Sequence, residues 1–405
     1  MVPNGWENKT LESLCDPDAP ITYGVLKPGD YVVDGIPLLQ IKDLLGNIND
    51  IDSLHRISSE LDHEYRRSRI ATNDILISLV GTVGRLGLVP KKIDGSNIHR
   101  NLGRIRTNHY EFLIHYLNSD IAKNQIGLSS SGSSQSALNL TVLRALKVPV
   151  PPLPEQRKIV NILGTWDKAI STTERLIDNS KQQKKALMQQ LLTGKKRLLD
   201  DLGKPFEGEW KEVTVGLVAS LTAGGTPSTK HPEYWGGDIL WMNSGEVNLK
   251  QVYGVVGRIT ELGLQKSSTK EIPENSVLIA LAGQGKTRGT VAINRIKLCT
   301  NQSIAAIMPN EQKLDSNFLY FNLDDRYQEL RSMSTGDGGR GGLNLSILKS
   351  IKLKLPSLME QQRIATVLTN ADKEIKLLEQ QLADLKLEKK ALMQQLLTGK
   401  RRVKV

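Results

Sequence analysis

The sequence predicts an α+β protein: two mixed α/β blocks separated by two long antiparallel helices that form a coiled coil, the whole a pseudo-two-fold tandem repeat. Three observations carry this. The twelve residues KKALMQQLLTGK occupy 184–195 and recur at 389–400 in a chain of 405 residues. The match continues upstream at the same offset without a gap, pairing Asn139-Leu140 with Asn344-Leu345, Pro151 with Pro356, Glu155-Gln156 with Glu360-Gln361, and Asp167-Lys168 with Asp372-Lys373. Within the shared blocks apolar residues recur at heptad spacing, whereas the intervening blocks lack it. A period this long means two matching halves, not a solenoid of small units. The boundaries follow: dissimilar blocks at 1–150 and 199–355, shared helical blocks at 151–198 and 356–405.

The dissimilar blocks read as mixed and partly β-rich. Ile75-Leu76-Ile77-Ser78-Leu79-Val80 and Val277-Leu278-Ile279-Ala280-Leu281 are short apolar runs, each followed by glycine, as buried strands are. Residues 111–126 and 316–331 read as helices. Two glycine- or serine-rich loops, SSSGSSQS at 129–136 and TGDGGRGG at 335–342, precede the shared Leu-Asn-Leu. Such loops move freely or approach a ligand closely.

The helical blocks are the most legible elements. In the second, Ile364, Leu368, Ala371, Ile375, Leu378, Leu382, Leu385, Leu392 and Leu396 follow spacings of four and three, with Lys389 the one interruption. That is a coiled-coil seam. In the first, Ile159, Leu163, Trp166, Ile170, Ile177, Leu187 and Leu191 keep the register, with Thr173, Ser180 and Lys184 at the remaining seam positions. Polar seam residues cost stability and fix register. Ser357-Leu358-Met359-Glu360 has the form of a capping box, and Pro154 suits a first helical turn. Gly194 and Gly399 suit helix stops, with basic residues beside them. About 40 residues give each helix roughly 60 Å of length. A whole block lies between the two helices, so parallel and antiparallel packing are both open; antiparallel is the favoured expectation, because it brings the halves into a pseudo-two-fold arrangement.

Composition bounds the function. Cys15 and Cys299 lie in different halves at unmatched positions, so a disulfide framework is not expected and a reducing cytoplasm fits. MVPNGWENKTLESL carries no apolar signal segment, and no stretch approaches the roughly 18 apolar residues of a membrane span. The net charge of +11 favours an anionic partner. That charge is concentrated in the shared blocks, at +5 over 151–204 and +4 over 356–405, while 1–150 is neutral. The histidines and the two cysteines show no metal-ligand spacing, and no nucleophile–base arrangement stands out. The sequence offers no catalytic, cofactor-binding or metal-binding residues.

ALAGQGKT at 280–287 fits the permissive form of a phosphate-binding loop. Such a loop needs a strand before it and a helix after it. The residues that follow, Arg288 to Ile293, read as a second strand. An NTPase acting through Lys286 and Thr287 is therefore the alternative. The favoured expectation is a turn presenting Gln284, Lys286, Thr287 and Arg288 to nucleic acid, since Arg and Lys suit phosphate and guanine and Gln suits adenine. In the first half the matching SLVGTVGR offers Thr82 and Arg85. Arg340 among glycines, Gln135 in the serine loop and Thr226 in GGTPS complete the candidate DNA contacts. Arg66, Arg67 and Arg69 form a basic cluster that a solvated helix face also explains. A coiled-coil scaffold that binds any duplex is a further alternative.

With PPLPEQRKIV opening the first helix and KKALMQQLLTGKKRL closing it, the chain resembles the specificity subunit of type I restriction–modification systems. GGTPS at 224–228, followed by Glu233-Tyr234-Trp235, also looks like that family's target-recognition domains. The first block departs from this, reading ITYGVLKPGDY. The resemblance implies that each dissimilar block reads half of a bipartite, asymmetric site in double-stranded DNA, and that the helices space the half-sites. It implies docking of two modification (methyltransferase) subunits and of restriction subunits, which would hold S-adenosylmethionine, ATP and Mg; this chain would hold none. Two identical partners need two equivalent surfaces. The candidates are Glu155, Gln156, Leu187, Met188 and Leu191, with Glu360, Gln361, Leu392, Met393 and Leu396.

Overall fold

The computed structural model describes residues 2–44, 48, 50–126, 137–283, 287–333 and 342–404. The chain divides into two compact units, 1–174 with 380–405, and 175–379. Each unit thus takes one dissimilar block and part of both shared helices.

The two long helices run Leu153–Leu191 and Leu358–Leu396, 39 residues each. The seam is where the spacing puts it. Ile364, Leu368, Ile375 and Leu396 are buried and Ala371, Leu378, Leu382, Leu385 and Leu392 half-buried, while most residues between them face solvent. The packing is antiparallel within each unit. In the first, Asp167 meets Lys389, and Glu174 meets Lys386 at 2.8 Å. In the second, Lys181 meets Glu379 at 2.7 Å, and Lys184 meets Asp372 at 2.5 Å. Rising numbers on one helix face falling numbers on the other. Lys184 and Lys389, the basic interruptions of the seam, are equivalent residues, and each is held by the equivalent aspartate of the facing helix. This gives the polar seam positions a register-setting contact.

The helix ends depart from expectation in one respect. Ser357 Oγ accepts from the Glu360 N–H at 3.3 Å, which is half of a capping box. The reciprocal half is absent because Arg197 takes the Glu360 carboxylate through Nε at 2.6 Å and a second guanidinium nitrogen at 2.7 Å. Gly194 and Gly399 end the helices with φ of +71° and +70°, the left-handed conformation that glycine adopts without strain.

The dissimilar blocks share one topology. In the first unit a four-stranded sheet has the order Thr22–Tyr23, Leu102–Ile105, Ile75–Ser78, Leu86–Leu88. In the second the order is Ala219–Ala223, Ile304–Pro309, Val277–Ala280, Val291–Asn294, extended by Gln251–Val252. A three-stranded sheet also repeats. Ile36–Leu39 lies between His55–Ile57, antiparallel, and Asn97–Ile98, parallel. Trp235–Met242 lies likewise between Arg258–Ile259 and Cys299–Thr300. The segments expected as single helices are each broken in two, Tyr110–Asn118 with Asp120–Gln125 and Ser316–Asp325 with Tyr327–Ser332. Ser119 starts a new helix by accepting from the Ala122 N–H at 3.3 Å.

Each unit has a core that includes a long-helix end. Ile75, Ile77, Phe112 and Tyr116 pack in one cluster with Ile159, Leu163, Leu396 and Leu397. Val277, Ile279, Phe318 and Phe321 pack in another with Leu191, Leu192, Ile364 and Leu368. Full burial of such a side chain contributes about 1.5–3 kcal/mol, so each domain and its helix ends stabilise one another. No helix among the described residues is long and apolar enough to cross a membrane.

Candidate nucleic-acid interface

Three segments meet at one end of the main sheet in each unit, and glycine makes the closest approach possible. A Cβ on Gly24 would lie 1.7 Å from the Ile98 carbonyl oxygen, and one on Gly224 would lie 2.2 Å from that of Thr300. The next residues lock the approach: the Val25 N–H donates to the Ile98 carbonyl and the Gly225 N–H to the Thr300 carbonyl, each at 2.8 Å. Gly24 within ITYGVLK is thus the counterpart of Gly224 within GGTPS, and the two blocks are structurally equivalent where the sequence looked unrelated. In the second unit tryptophans anchor the loop, Trp241 Nε1 donating to the Gly225 carbonyl at 3.0 Å and Trp235 Nε1 to that of Ser228 at 3.3 Å. Thr226 is exposed and donates its hydroxyl to Gln302 Oε1.

The second segment is a hairpin. Val277–Ala280 pairs antiparallel with Val291–Asn294, and the Gly289 N–H closes the turn on the Ala280 carbonyl at 2.9 Å. ALAGQGKT is therefore followed by a strand, and phosphates would find no helix N-terminus there. This removes the structural basis for an NTPase. Thr287 and Arg288 are half-buried on the returning arm of the hairpin. Gln284 and Lys286 lie outside the described residues, as do Arg340 and Gln135. In the first unit Thr82 and Arg85 stand exposed on the equivalent, shorter hairpin, where Ser78 Oγ accepts from the Arg85 N–H at 2.8 Å and donates to the Thr82 carbonyl.

The third segment is the turn before the second strand of the sheet, His99 to Asn101 in one unit and Asn301 to Ser303 in the other. The Leu79 N–H donates to the Asn101 carbonyl and the Leu281 N–H to that of Ser303, each at 2.8 Å. The chain leaving each serine- or glycine-rich loop arrives beside it, the Leu138 N–H bonding the Leu79 carbonyl at 2.7 Å and the Leu343 N–H that of Leu281 at 3.1 Å. Sequence reasoning passed over this turn because it carries no motif. Of the Arg66, Arg67 and Arg69 cluster, Arg69 grips buried Asp62, its Nε at 2.8 Å, and is not free for a partner.

The candidate docking residues are mostly inside. Glu155 is 2% exposed. Its carboxylate accepts from Arg402 at 2.7 and 2.8 Å and from Trp6 Nε1 at 2.9 Å. Burial alone would raise its pKa, but these hydrogen bonds and the Arg402 charge outweigh that and lower it. Glu360 is fully buried against Arg197, the exact counterpart of Arg402 in the repeat. Gln156 donates to the Pro151 carbonyl at 2.7 Å and bonds His109 Nδ1 at 3.0 Å. Gln361 accepts from the Asp315 N–H at 3.0 Å and donates to the Lys313 and Pro356 carbonyls, both at 3.1 Å. Met188 and Leu191 belong to one core and Met393 and Leu396 to the other, with Leu187 and Leu392 packed against them. These ten positions thus hold each domain to its helix ends.

A family model described as the type I restriction modification DNA specificity domain matches residues 3–180 and 207–387. The EcoBI type I restriction enzyme specificity subunit of Escherichia coli is 32% identical over 227 residues, which is 54% of this chain and 46% of that relative. The match thus spans under half of that protein. The putative MjaX specificity subunit of Methanocaldococcus jannaschii is 25% identical over 421 residues, covering 100% of this chain and 95% of the relative. Among solved structures, the HsdS subunit from Thermoanaerobacter tengcongensis superposes with a TM-score of 0.52 at 21% identity, covering 99% of this chain and 98% of that one. A chain from a study of type I R-M complex assembly gives 0.63 at 22%, covering 99% and 100%. At these identities the structural likeness speaks for the fold.

Proposed function

This chain belongs to the family of type I restriction-modification DNA specificity domains, and from that premise we propose that it is the DNA-recognition subunit of such a complex. Residues 1–150 and 199–355 each read one half of an asymmetric, bipartite site in double-stranded DNA. The helices at 151–198 and 356–405 set the spacing between half-sites and seat two modification subunits, to which restriction subunits add. S-adenosylmethionine, ATP and Mg belong to those partners, and the assembly works in the cytoplasm. One observation supports this above others: two blocks of dissimilar sequence share a strand order and bring the same three segments to the same sheet end. A common scaffold with different side chains at its tip suits two different half-sites.

Because the ten shared docking candidates are spent on internal packing, the partners are expected to meet the outward residues beside them. Gln189, Gln190 and Lys195 are exposed in one repeat, and Gln394, Gln395 and Lys400 in the other. They offer two identical surfaces.

The test is methylation mapping in a host that carries the complete system. Exchanging residues 1–145 for another block of the family should change one half-site and leave the other as it was. Alteration of both half-sites, or methylation with no bipartite pattern, would overturn the assignment. Binding to specific and random duplexes must be compared at one salt concentration, because phosphate contacts dominate affinity.

A further inference from the structure

We infer that Arg100 and Gln302 are base-reading residues, Arg100 for a guanine in one half-site and Gln302 for an adenine in the other; the inference rests on the DNA-recognition function proposed above. The two residues occupy the same position in the two domains. Each follows the short strand paired in parallel with the centre of the three-stranded sheet, Asn97–Ile98 or Cys299–Thr300. Each precedes the second strand of the main sheet, Leu102–Ile105 or Ile304–Pro309.

The turn holding them is rigid, which is what a reading residue requires. The His99 N–H donates to the Leu39 carbonyl at 2.9 Å, the Arg100 N–H to that of Val25 at 2.8 Å, and the Leu102 N–H to that of His99 at 2.8 Å. In the other domain the Asn301 N–H donates to the Met242 carbonyl at 3.0 Å, and the Ile304 N–H to that of Asn301 at 3.2 Å. The flanking side chains are tied inward: His99 Nδ1 accepts from the Asn101 N–H at 3.3 Å, and Asn301 Oδ1 from the Ser303 N–H at 3.1 Å. Only the middle residue of each turn is exposed, its neighbours being half-buried. The site is therefore a fixed backbone with one outward side chain, set between the glycine approach and the hairpin.

The side chains differ in the way two half-sites demand. The Arg100 guanidinium has no hydrogen-bond or ion-pair partner among the described residues. Leu26, exposed, stands where the second domain has Thr226. Arg100 thus keeps its whole donor fork, which matches guanine O6 and N7. Gln302 is steered instead, since the Thr226 hydroxyl donates to its Oε1. That bond fixes the amide plane and leaves Nε2 and the second Oε1 lone pair to face adenine N7 and N6.

The test compares wild type with Arg100→Lys, Arg100→Ala and Gln302→Ala in the complete system, by methylation mapping and by duplex binding at fixed salt. Thermal melts confirm that each variant is folded. Arg100→Lys keeps the charge but loses the fork. Arg100→Ala should lose discrimination at one guanine of one half-site by roughly 5- to 150-fold, and Arg100→Lys a smaller part of it, with the other half-site intact. Gln302→Ala should do the same at one adenine of the other half-site. A wild-type map from Arg100→Ala, or its uniform weakening on every sequence, would overturn the assignment of Arg100; an unchanged map from Gln302→Ala would overturn that of Gln302. Wild-type methylation lacking any bipartite pattern would instead defeat the underlying function, and this inference with it.

Discussion

At the scale of residues, the repeat preserves contacts as well as letters. Arg197 and Arg402 each offer a two-pronged guanidinium to a buried glutamate, Glu360 and Glu155, and the four distances fall between 2.6 and 2.8 Å. Paired, planar bonds of this kind are among the stronger polar contacts in proteins. Glu360→Ala should lower the stability of its unit by about 1–3 kcal/mol, because Arg197 keeps its bonds to the Glu207 and Gly208 carbonyls and stays partly solvated. Chemical denaturation of the variant would measure this, and an unchanged midpoint would rule the clamp out as a stabilising contact. The glutamates were legible as special residues, since Glu-Gln recurs at the repeat distance. Their role was not. Identity between halves marks equivalent surroundings, and the surroundings here are a domain core and an arginine of the same chain. Gly24 was hidden for the opposite reason. Its neighbours Val25, Leu26 and Lys27 share nothing with Gly225, Thr226 and Pro227, and only the strand beside it identifies the position.

Among elements, the long helices were the most readable, because a seam repeated over many turns leaves little room for another fold. Even their polar interruptions, Lys184 and Lys389, were visible in advance, though not that Asp372 and Asp167 would meet them. The sheets were harder. Thr22–Tyr23, Asn97–Ile98 and Cys299–Thr300 are two residues long, too short to show an alternating pattern, and the partners of the last two lie some sixty residues away along the chain, on the order of a parallel crossover. A pair of four-residue insertions, one in the middle of each long helix, would add about 6 Å while keeping equal lengths in register. Under the proposed function the recognised gap should grow by one or two base pairs, at about 3.4 Å each, with both half-sites unchanged. A methylation map showing the original gap would count against the helices as the spacing element.

For the molecule as a whole, titration separates the two units. Burial lowers the pKa of His115 below its usual 6.5, with Asp167 pulling it upward and Lys389 reinforcing the fall. Burial likewise lowers that of His99, helped by Arg100 and His55. Both lie in the unit formed by 1–174 and 380–405. A histidine depressed on folding is neutral in both states at pH 7.5. Below about 6.5 the unfolded chain gains protons that the folded chain resists, so stability falls as pH falls. The lowered Glu155 carboxylate acts in the same direction at more acid pH, where its protonation would release Arg402. Melting temperatures taken from pH 7.5 to 5.0 should therefore fall first for this unit, and His115→Gln should shrink the loss between pH 7 and 5.5. An equal slope in the variant would exclude His115 as a source.

The contact between Arg402 and the Asn4 carbonyl, at 2.9 Å, has one more consequence. In the other unit the residues at the same places, Arg197 and Glu207-Gly208, are joined by a continuous peptide that passes through solvent at Leu202. The Arg402 clamp thus closes on a segment far away in the sequence, whereas the Arg197 clamp closes on a short peptide of its own. Proteolysis at exposed Leu202 should therefore leave the Arg197 clamp as intact as the Arg402 clamp, which already joins its two sides without a short peptide between them.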